Sequence, residues 1–290
     1  MDRSKITFAQ AEGAAPLPKQ LELKQLDNKI RALIWADIHK HLKATGNSYG
    51  YLYGAWEAIL MDFWIEHLEK LAHEFPTDII KWERTLSVYL TSSDYIVTLG
   101  ALEFILRHPE CPRELIAWIN ETLIKGRAAY RLEMLNGIPT ITPMGSEAEA
   151  QAIGQAIVEI SSHGPNNASR HLALSVEHLR SGDFGGAVRE SIHAVECAAC
   201  KVADDEKASL GKALSALKKK DANLHKSLEQ GLNKIYGYTS DEKGIRHALA
   251  FDGNDEADVD EADALFMFGA CASFVSYLLR KGREAGLIND

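Results

Sequence analysis

Apolar residues recur at helical spacing along most of this 290-residue chain, and that period constrains the fold more than any other feature. Between residues 27 and 43, intervals of three to four residues place the apolar side chains on one face of a helix. These residues are Ile30, Leu33, Ile34, Ile38 and Leu42. The pattern returns over residues 51–73, 78–90, 93–107 and 112–128. The sequence therefore predicts a mainly α protein.

One short stretch departs from the helical period. Two short alternating runs, residues 130–135 and 138–142, flank Asn136-Gly137. Asn-Gly between such runs is the strongest short-range signal for a β-hairpin. An isolated hairpin is only marginally stable in water, so it must pack on helices. We predict one small hairpin near residues 130–142, within the N-terminal helical domain.

A polar segment rich in turn residues, 161–167, provides the best domain boundary. A chain of 290 residues is typical of two domains. We predict an N-terminal helical domain over residues 1–160 and a C-terminal domain over residues 167–290. The lengths and short joints of the later helices indicate an antiparallel four-helix bundle. These helices span residues 168–181, 184–203, 210–236 with a break near Asp221, and 260–285.

Composition narrows the class of protein. The apolar fraction of 46% is that of an ordinary soluble protein, and the net charge of −9 argues against general coating of nucleic acid. No apolar run approaches the roughly 20 residues that span a bilayer. The first residues also lack the apolar segment of a signal peptide. We therefore expect a cytoplasmic protein without a membrane partner.

Charge is unevenly distributed, however. Nine Lys or Arg residues and four Asp or Glu residues lie between Lys207 and His247. This segment is either a local RNA-binding surface or a lysine-rich helix face in contact with solvent.

Cys197 and Cys200 have the C-x-x-C spacing of metal and redox sites. Zinc needs about four ligands, and no second pair lies nearby in the sequence. Packing of small residues is the favoured interpretation, with redox and metal-binding roles as the alternatives.

The sharpest chemical signal is Arg246 beside His247. A guanidinium offers a planar set of donors to phosphate, and an imidazole exchanges protons near neutral pH. The helix over residues 184–203 carries a polar arc opposite its apolar face. This arc contains Arg189, Glu190, His193 and Glu196. It is either a face in contact with solvent, with local ion pairs, or a face that meets Arg246 and His247.

Residues 189–196, 236–248 and 263–267 resemble the HEPN-like C-terminal domain of AbiJ-type abortive-infection proteins. The first part of the chain is similar, through the order of its elements, to the helical domain that accompanies it. The resemblance implies a homodimeric bundle acting as a metal-independent endoribonuclease in phage defence or as a toxin. RNA is then the substrate, a defence-system protein is a possible partner, and no cofactor is required.

The resemblance also implies a role for each site residue. Arg246 corresponds to the arginine that stabilises the developing charge on phosphorus. His247 is the first candidate for proton transfer and His193 the second, because the histidine expected four to six residues after Arg246 is absent. Glu190 corresponds to an orienting carboxylate. Lys243 and Glu196 are assigned to substrate binding.

Two other hypotheses remain open. The missing downstream histidine favours a non-catalytic dimerisation module that binds RNA, a nucleotide or a protein. A metal-dependent hydrolase using Glu190, His193 and Glu196 is the weaker alternative, because the bundle lacks a second Glu-x-x-His motif.

Overall fold

The computed structural model describes residues 8–15, 19–44, 50–220, 225–238 and 259–288. These residues are mostly helical, with one small two-stranded antiparallel sheet, so the predicted mainly α class is confirmed. The chain divides into two compact units, Met1–Tyr130 and Arg131–Asp290.

The first unit is built from helices around an aromatic core. Trp56, Phe63 and Trp82 are fully buried in it, and the longest helix contacts two of the others. Asp78 and Asp94 each cap a helix, with Asp78 accepting from the Ile80 amide at 2.7 Å and Asp94 from the Ile96 amide at 2.8 Å. The helices are α1 (Phe8–Ala11), α2 (Asn28–Ala44), α3 (Ala55–Asp62), α4 (Ile79–Leu90), α5 (Tyr95–Arg107) and α6 (Arg113–Lys125).

The prediction of one helix over residues 51–73 is wrong. Gly54 has a φ of 62° and α3 begins only after it. Beyond α3 the chain forms a π-helical turn, Phe63–His67, and then leaves the helix. The wider turn buries both Phe63 and Trp64, and the Trp64 indole donates to the Leu71 carbonyl at 2.9 Å. Apolar spacing alone did not reveal where this helix ends.

The second unit consists of the hairpin and a set of packed helices. Asn136 and Gly137 have φ values of 51° and 77°, as a type I′ turn requires, so the predicted hairpin is confirmed. The strands are β1 (Tyr130–Leu135) and β2 (Ile138–Pro143). The helices are α7 (Glu147–His163), α8 (Asn166–Ser181), α9 (Phe184–Ala203), α10 (Leu210–Lys219), α11 (Lys226–Gly237) and α12 (Glu261–Glu284).

The predicted boundary at residues 161–167 does not coincide with the division between the units. Helix α7 buries Ile153, Ile157 and Ile160 and packs on α12. Arg283 of α12 also forms an ion pair with Glu159 of α7. Strand β2 contacts α8. The polar segment is therefore a turn inside the second unit, and all of the hairpin beyond Tyr130 lies in that unit and not in the N-terminal one.

Helix α9 is central to the second unit, where it contacts α8, α10 and α12. Its predicted apolar face is buried as expected. Helix α12 begins at a capping box formed by Asp260 and Asp263.

Among the described residues, α12 is also the one helix long and apolar enough to cross a membrane. An apolar run of this length was not predicted from the sequence. However, 61% of its apolar window is buried inside the protein, as in the core helix of a soluble protein.

Candidate functional site

Helix α9 directs a row of reactive side chains toward an open groove. His193, Cys197 and Cys200 follow one another at intervals of three or four residues, which places them on one side of the helix, and Asp204 is the residue that ends it. All four line a groove of about 930 Å³. His171 of α8 and Tyr236 of α11 line it as well. Three helices thus contribute side chains to one concave surface.

His171 and His193 line this groove and form a cluster with Glu190. His171 Nδ1 lies 2.7 Å from Glu190 Oε2, and His193 Nδ1 lies 3.7 Å from Glu190 Oε1. The two imidazole centroids are 5.2 Å apart, with their planes at 66°. Because a carboxylate only accepts hydrogen bonds, His171 must carry a proton on Nδ1, which leaves Nε2 as its basic atom when the ring is neutral. The carboxylate therefore holds the His171 imidazole by a hydrogen bond and lies within ion-pair distance of the His193 imidazole.

The joint between α8 and α9 explains why these side chains meet. Gly182 ends α8 with a φ of 80°, and Asp183 caps α9 by accepting from the Gly186 amide at 2.8 Å. The buried Ser175 and Ser191 hydroxyl oxygens lie 2.8 Å apart, so the helices approach closely. His171 lies one helical turn before Ser175, and Glu190 directly precedes Ser191. The serine pair thus fixes the register that brings Glu190 to His171.

A second contact connects α11 to α9. The Tyr236 hydroxyl donates to Glu196 Oε1 at 2.8 Å. Glu196 lies in the groove, as a substrate-binding residue would, but its carboxylate already holds the end of α11. This contact holds the C-terminal end of α11 against α9. Residues 239–258 follow and lie outside the described part of the chain.

The cysteines are free thiols. Burial, followed by the neighbouring Cys200 and Glu196, raises the pKa of Cys197. Cys200 Sγ donates to the Glu206 and Ala208 carbonyls at 3.4 and 3.5 Å. A protonated thiol is a poor nucleophile, so these contacts favour the packing interpretation over a redox role.

The described wall of the groove carries more negative than positive charge. Its acidic residues are Glu196, Asp204, Asp205 and Glu206, and its basic residues are Lys201 and Lys207. Two lysines of the basic segment predicted from the sequence already form ion pairs with nearby carboxylates. Lys212 pairs with Asp205 and Lys218 with Glu229, each at 2.5 Å.

The structure gives positions for three of the predicted site residues. Glu190 and His193 lie together, and Glu196 lies in the adjoining groove. Arg246, His247 and Lys243 lie outside the described residues. Sequence reasoning missed His171. The signal available was a histidine in the helix that precedes a Glu-x-x-His motif, but pairing between the helices depends on a register that periodicity does not give.

No protein-family model, curated protein or solved structure matches this chain. The function must therefore be argued from the chemistry of the groove. Two imidazoles that share one carboxylate can transfer protons as a pair, or they can bind a transition metal.

Proposed function

We propose that this protein is a metal-independent endoribonuclease that cleaves RNA by 2′-hydroxyl attack, as the effector of an abortive-infection or toxin system. The observation that supports the proposal is the His171–Glu190–His193 cluster at an open groove. Cleavage without a metal requires one group to remove a proton and another to deliver one. The cluster supplies two imidazoles for these tasks, in a chain that lacks the histidine expected after Arg246.

The cleavage step needs one neutral and one protonated imidazole. A neutral imidazole removes the proton from the 2′-hydroxyl, and the 2′-oxygen attacks the adjacent phosphorus. The protonated imidazole donates to the 5′-oxygen as the bond from phosphorus to that oxygen breaks. The products are a 2′,3′-cyclic phosphate and a 5′-hydroxyl. Glu190 orients the imidazoles and stabilises the protonated form.

The remaining assignments follow the family resemblance. Arg246 binds the scissile phosphate, and Lys243 binds the substrate beside it. His247 is the alternative proton-transfer residue if one of the groove histidines proves dispensable. The packing of α9 against α8, α10 and α12 is compatible with a HEPN-like four-helix bundle.

A homodimer formed through this unit is part of the proposal. Helix α11 has no buried residue, and its Leu228 side chain is 45% exposed. Leu228, Leu232 and Ile235 follow one another at helical spacing, with Leu232 and Ile235 half-buried, and a second copy would cover this face from its exposed Leu228 side.

The second candidate is a non-catalytic binding module. The excess of carboxylates on the described groove wall favours it, because phosphate groups are repelled by such a surface. Under this alternative RNA is bound without being shortened, or a cationic partner is bound instead.

The test is cleavage of a mixed tRNA and mRNA pool in EDTA. Wild type is compared with His171→Ala, Arg246→Ala and the matched control His178→Ala. His178 lies on the same helix as His171 but pairs with Asp183. We expect cyclic-phosphate ends from wild type and the control, with cleavage by the two other variants reduced at least about 100-fold. Equal cleavage by His171→Ala would remove His171 from the mechanism, and crosslinked but intact RNA would favour the binding module.

A further inference from the structure

We infer that His171, Glu190 and His193 form a binding site for a divalent transition metal of the zinc class, and that the bound metal switches off proton transfer. The metal site itself stands on the geometry alone. Its inhibitory effect rests on the proposed function.

The three side chains are already gathered around one point. One ligand atom from each residue, a histidine nitrogen or a carboxylate oxygen, lies within 4.8 Å of the other two. Zinc bonds to nitrogen and oxygen of about 2.0–2.2 Å place tetrahedral ligand atoms roughly 3.4 Å apart. The 2.7 Å contact between His171 Nδ1 and Glu190 Oε2 would open by less than about 1 Å, with the proton of Nδ1 released on metal binding. The 3.7 Å contact between His193 Nδ1 and Glu190 Oε1 already lies close to the ligand spacing.

The ligand types select the metal. Two imidazoles and one carboxylate suit zinc, cobalt or nickel, whereas calcium and magnesium prefer oxygen ligands. Three protein ligands leave a fourth position for water, as in catalytic zinc sites. The residues are partly accessible, with His171 and His193 side chains 27% and 30% exposed. A metal ion can therefore enter from the groove.

The surrounding charge favours a cation. Glu190 is 15% exposed, so its carboxylate attracts a metal with less screening than a fully exposed group. The adjoining wall has four carboxylates against two lysines. The same charge that disfavours phosphate at this wall attracts a divalent ion.

Metal binding would prevent both imidazoles from acting as a general acid or base. A nitrogen that donates its lone pair to a metal cannot accept a proton from a 2′-hydroxyl. Because zinc binding requires neutral imidazole, it also removes the protonated form that the leaving oxygen needs. Zinc is thus expected to inhibit cleavage, and a chelator is expected to restore it.

Metal binding is tested first without RNA. Protein stripped with EDTA is titrated with Co²⁺ while visible absorption is recorded, and with Zn²⁺ in competition with a chromophoric chelator. We expect one Co²⁺ per chain with the intense bands of a four-coordinate site. The variants His171→Ala and Glu190→Gln should weaken binding at least about tenfold, since even outer partners of metal ligands contribute that much.

Two controls separate this site from other candidates. His178→Ala should bind normally, because it replaces a histidine of the same helix outside the cluster. A Cys197→Ser, Cys200→Ser double variant should also bind normally. If the cysteine variant loses the metal, or if both cluster variants bind like wild type, the proposed site is wrong. Should His171→Ala fail to fold by circular dichroism, His193→Gln provides the same comparison.

Cleavage assays then separate the two proposals. Inhibition by stoichiometric Zn²⁺, reversed by EDTA, supports both. Stoichiometric metal binding by a protein that never cleaves RNA overturns the proposed function and leaves the metal site standing. Cleavage in EDTA without metal binding overturns the metal site alone. Cleavage that requires added metal overturns both the metal-independent reaction and the inhibitory role.

Discussion

Glu133 on β1 offers a quantitative test of how the second unit is packed. Burial raises the pKa of this carboxyl group to about 7, and the nearby Arg131 opposes the shift only in part. The carboxylate lies against α7, since a Cβ atom added at Gly154 would stand 3.5 Å from Glu133 Oε1. The variant Glu133→Gln keeps the shape of the side chain and removes its titration.

The sign of the effect follows from proton binding. The ordinary pKa of the group is 4.5, and its pKa in the folded protein is about 7. Below pH 4.5 the carboxyl group is protonated in both the folded and the unfolded protein, and its full contribution to the free energy of unfolding is present. Between the two values the unfolded chain releases the proton while the folded protein retains it, so the free energy of unfolding falls as pH rises. Above pH 7 to 8 the group is ionised in both states, and this contribution of Glu133 to the free energy of unfolding has been lost.

The magnitude can be worked from these two pKa values. Each tenfold difference in proton affinity corresponds to about 1.4 kcal/mol. Between pH 5 and pH 8, wild type should therefore lose roughly 2.5 kcal/mol of unfolding free energy that Glu133→Gln does not lose.

Urea unfolding followed by circular dichroism at pH 5 and pH 8 measures this difference. All five tryptophans precede residue 119 and lie in the first unit, so their fluorescence follows a part of the chain that the substitution does not touch. The matched control is Glu177→Gln, which replaces an exposed carboxyl on α8. If Glu133→Gln and wild type show the same pH dependence to within about 0.5 kcal/mol, then the burial argument is refuted.

Two further predictions concern packing and assembly. Gly126→Ala would place a Cβ atom 2.3 Å from Ile30 Cγ1 and should destabilise the first unit by about 1–3 kcal/mol in urea unfolding followed by tryptophan fluorescence. In the matched control, Gly100→Ala in α5, the added Cβ atom meets no atom within 4 Å, so this variant should stabilise the unit by about 0.5–1 kcal/mol. A Gly126→Ala variant more stable than Gly100→Ala would contradict the packing described. Leu228→Glu on α11 should shift the proposed homodimer toward monomer in light scattering at micromolar concentration, whereas Gln230→Glu on the same helix should not. A dimer that resists Leu228→Glu would place the interface elsewhere.

Local signals in the sequence predicted local structure well. The apolar period predicted α9 over residues 184–203, which are its observed bounds, and Asn136-Gly137 predicted the hairpin. Contacts between distant elements were harder to predict. Turn residues at 161–167 mark a turn, but they do not say whether the helices on either side share a core. The burial of α7 against α12 decides that question.

The same limit applies to the candidate site. Glu190 and His193 lie three residues apart on one helix, so periodicity alone brings them together. His171 joins them through the register of α8 against α9, which the Ser175–Ser191 contact fixes. Arg246, His247 and Lys243 remain predictions from the sequence and from the family resemblance.

The tip of the hairpin has a practical consequence for experiments on this protein. The backbone N–H of Asn136 donates to Ser169 Oγ at 2.7 Å. Ser169 lies two residues before His171 on α8. Exposed β-turns are usual places to insert an epitope tag or a fluorescent reporter. An insertion at residues 136–137 would break this bond and disturb the first turn of α8. Protein used to test the proposed function should therefore carry its label elsewhere.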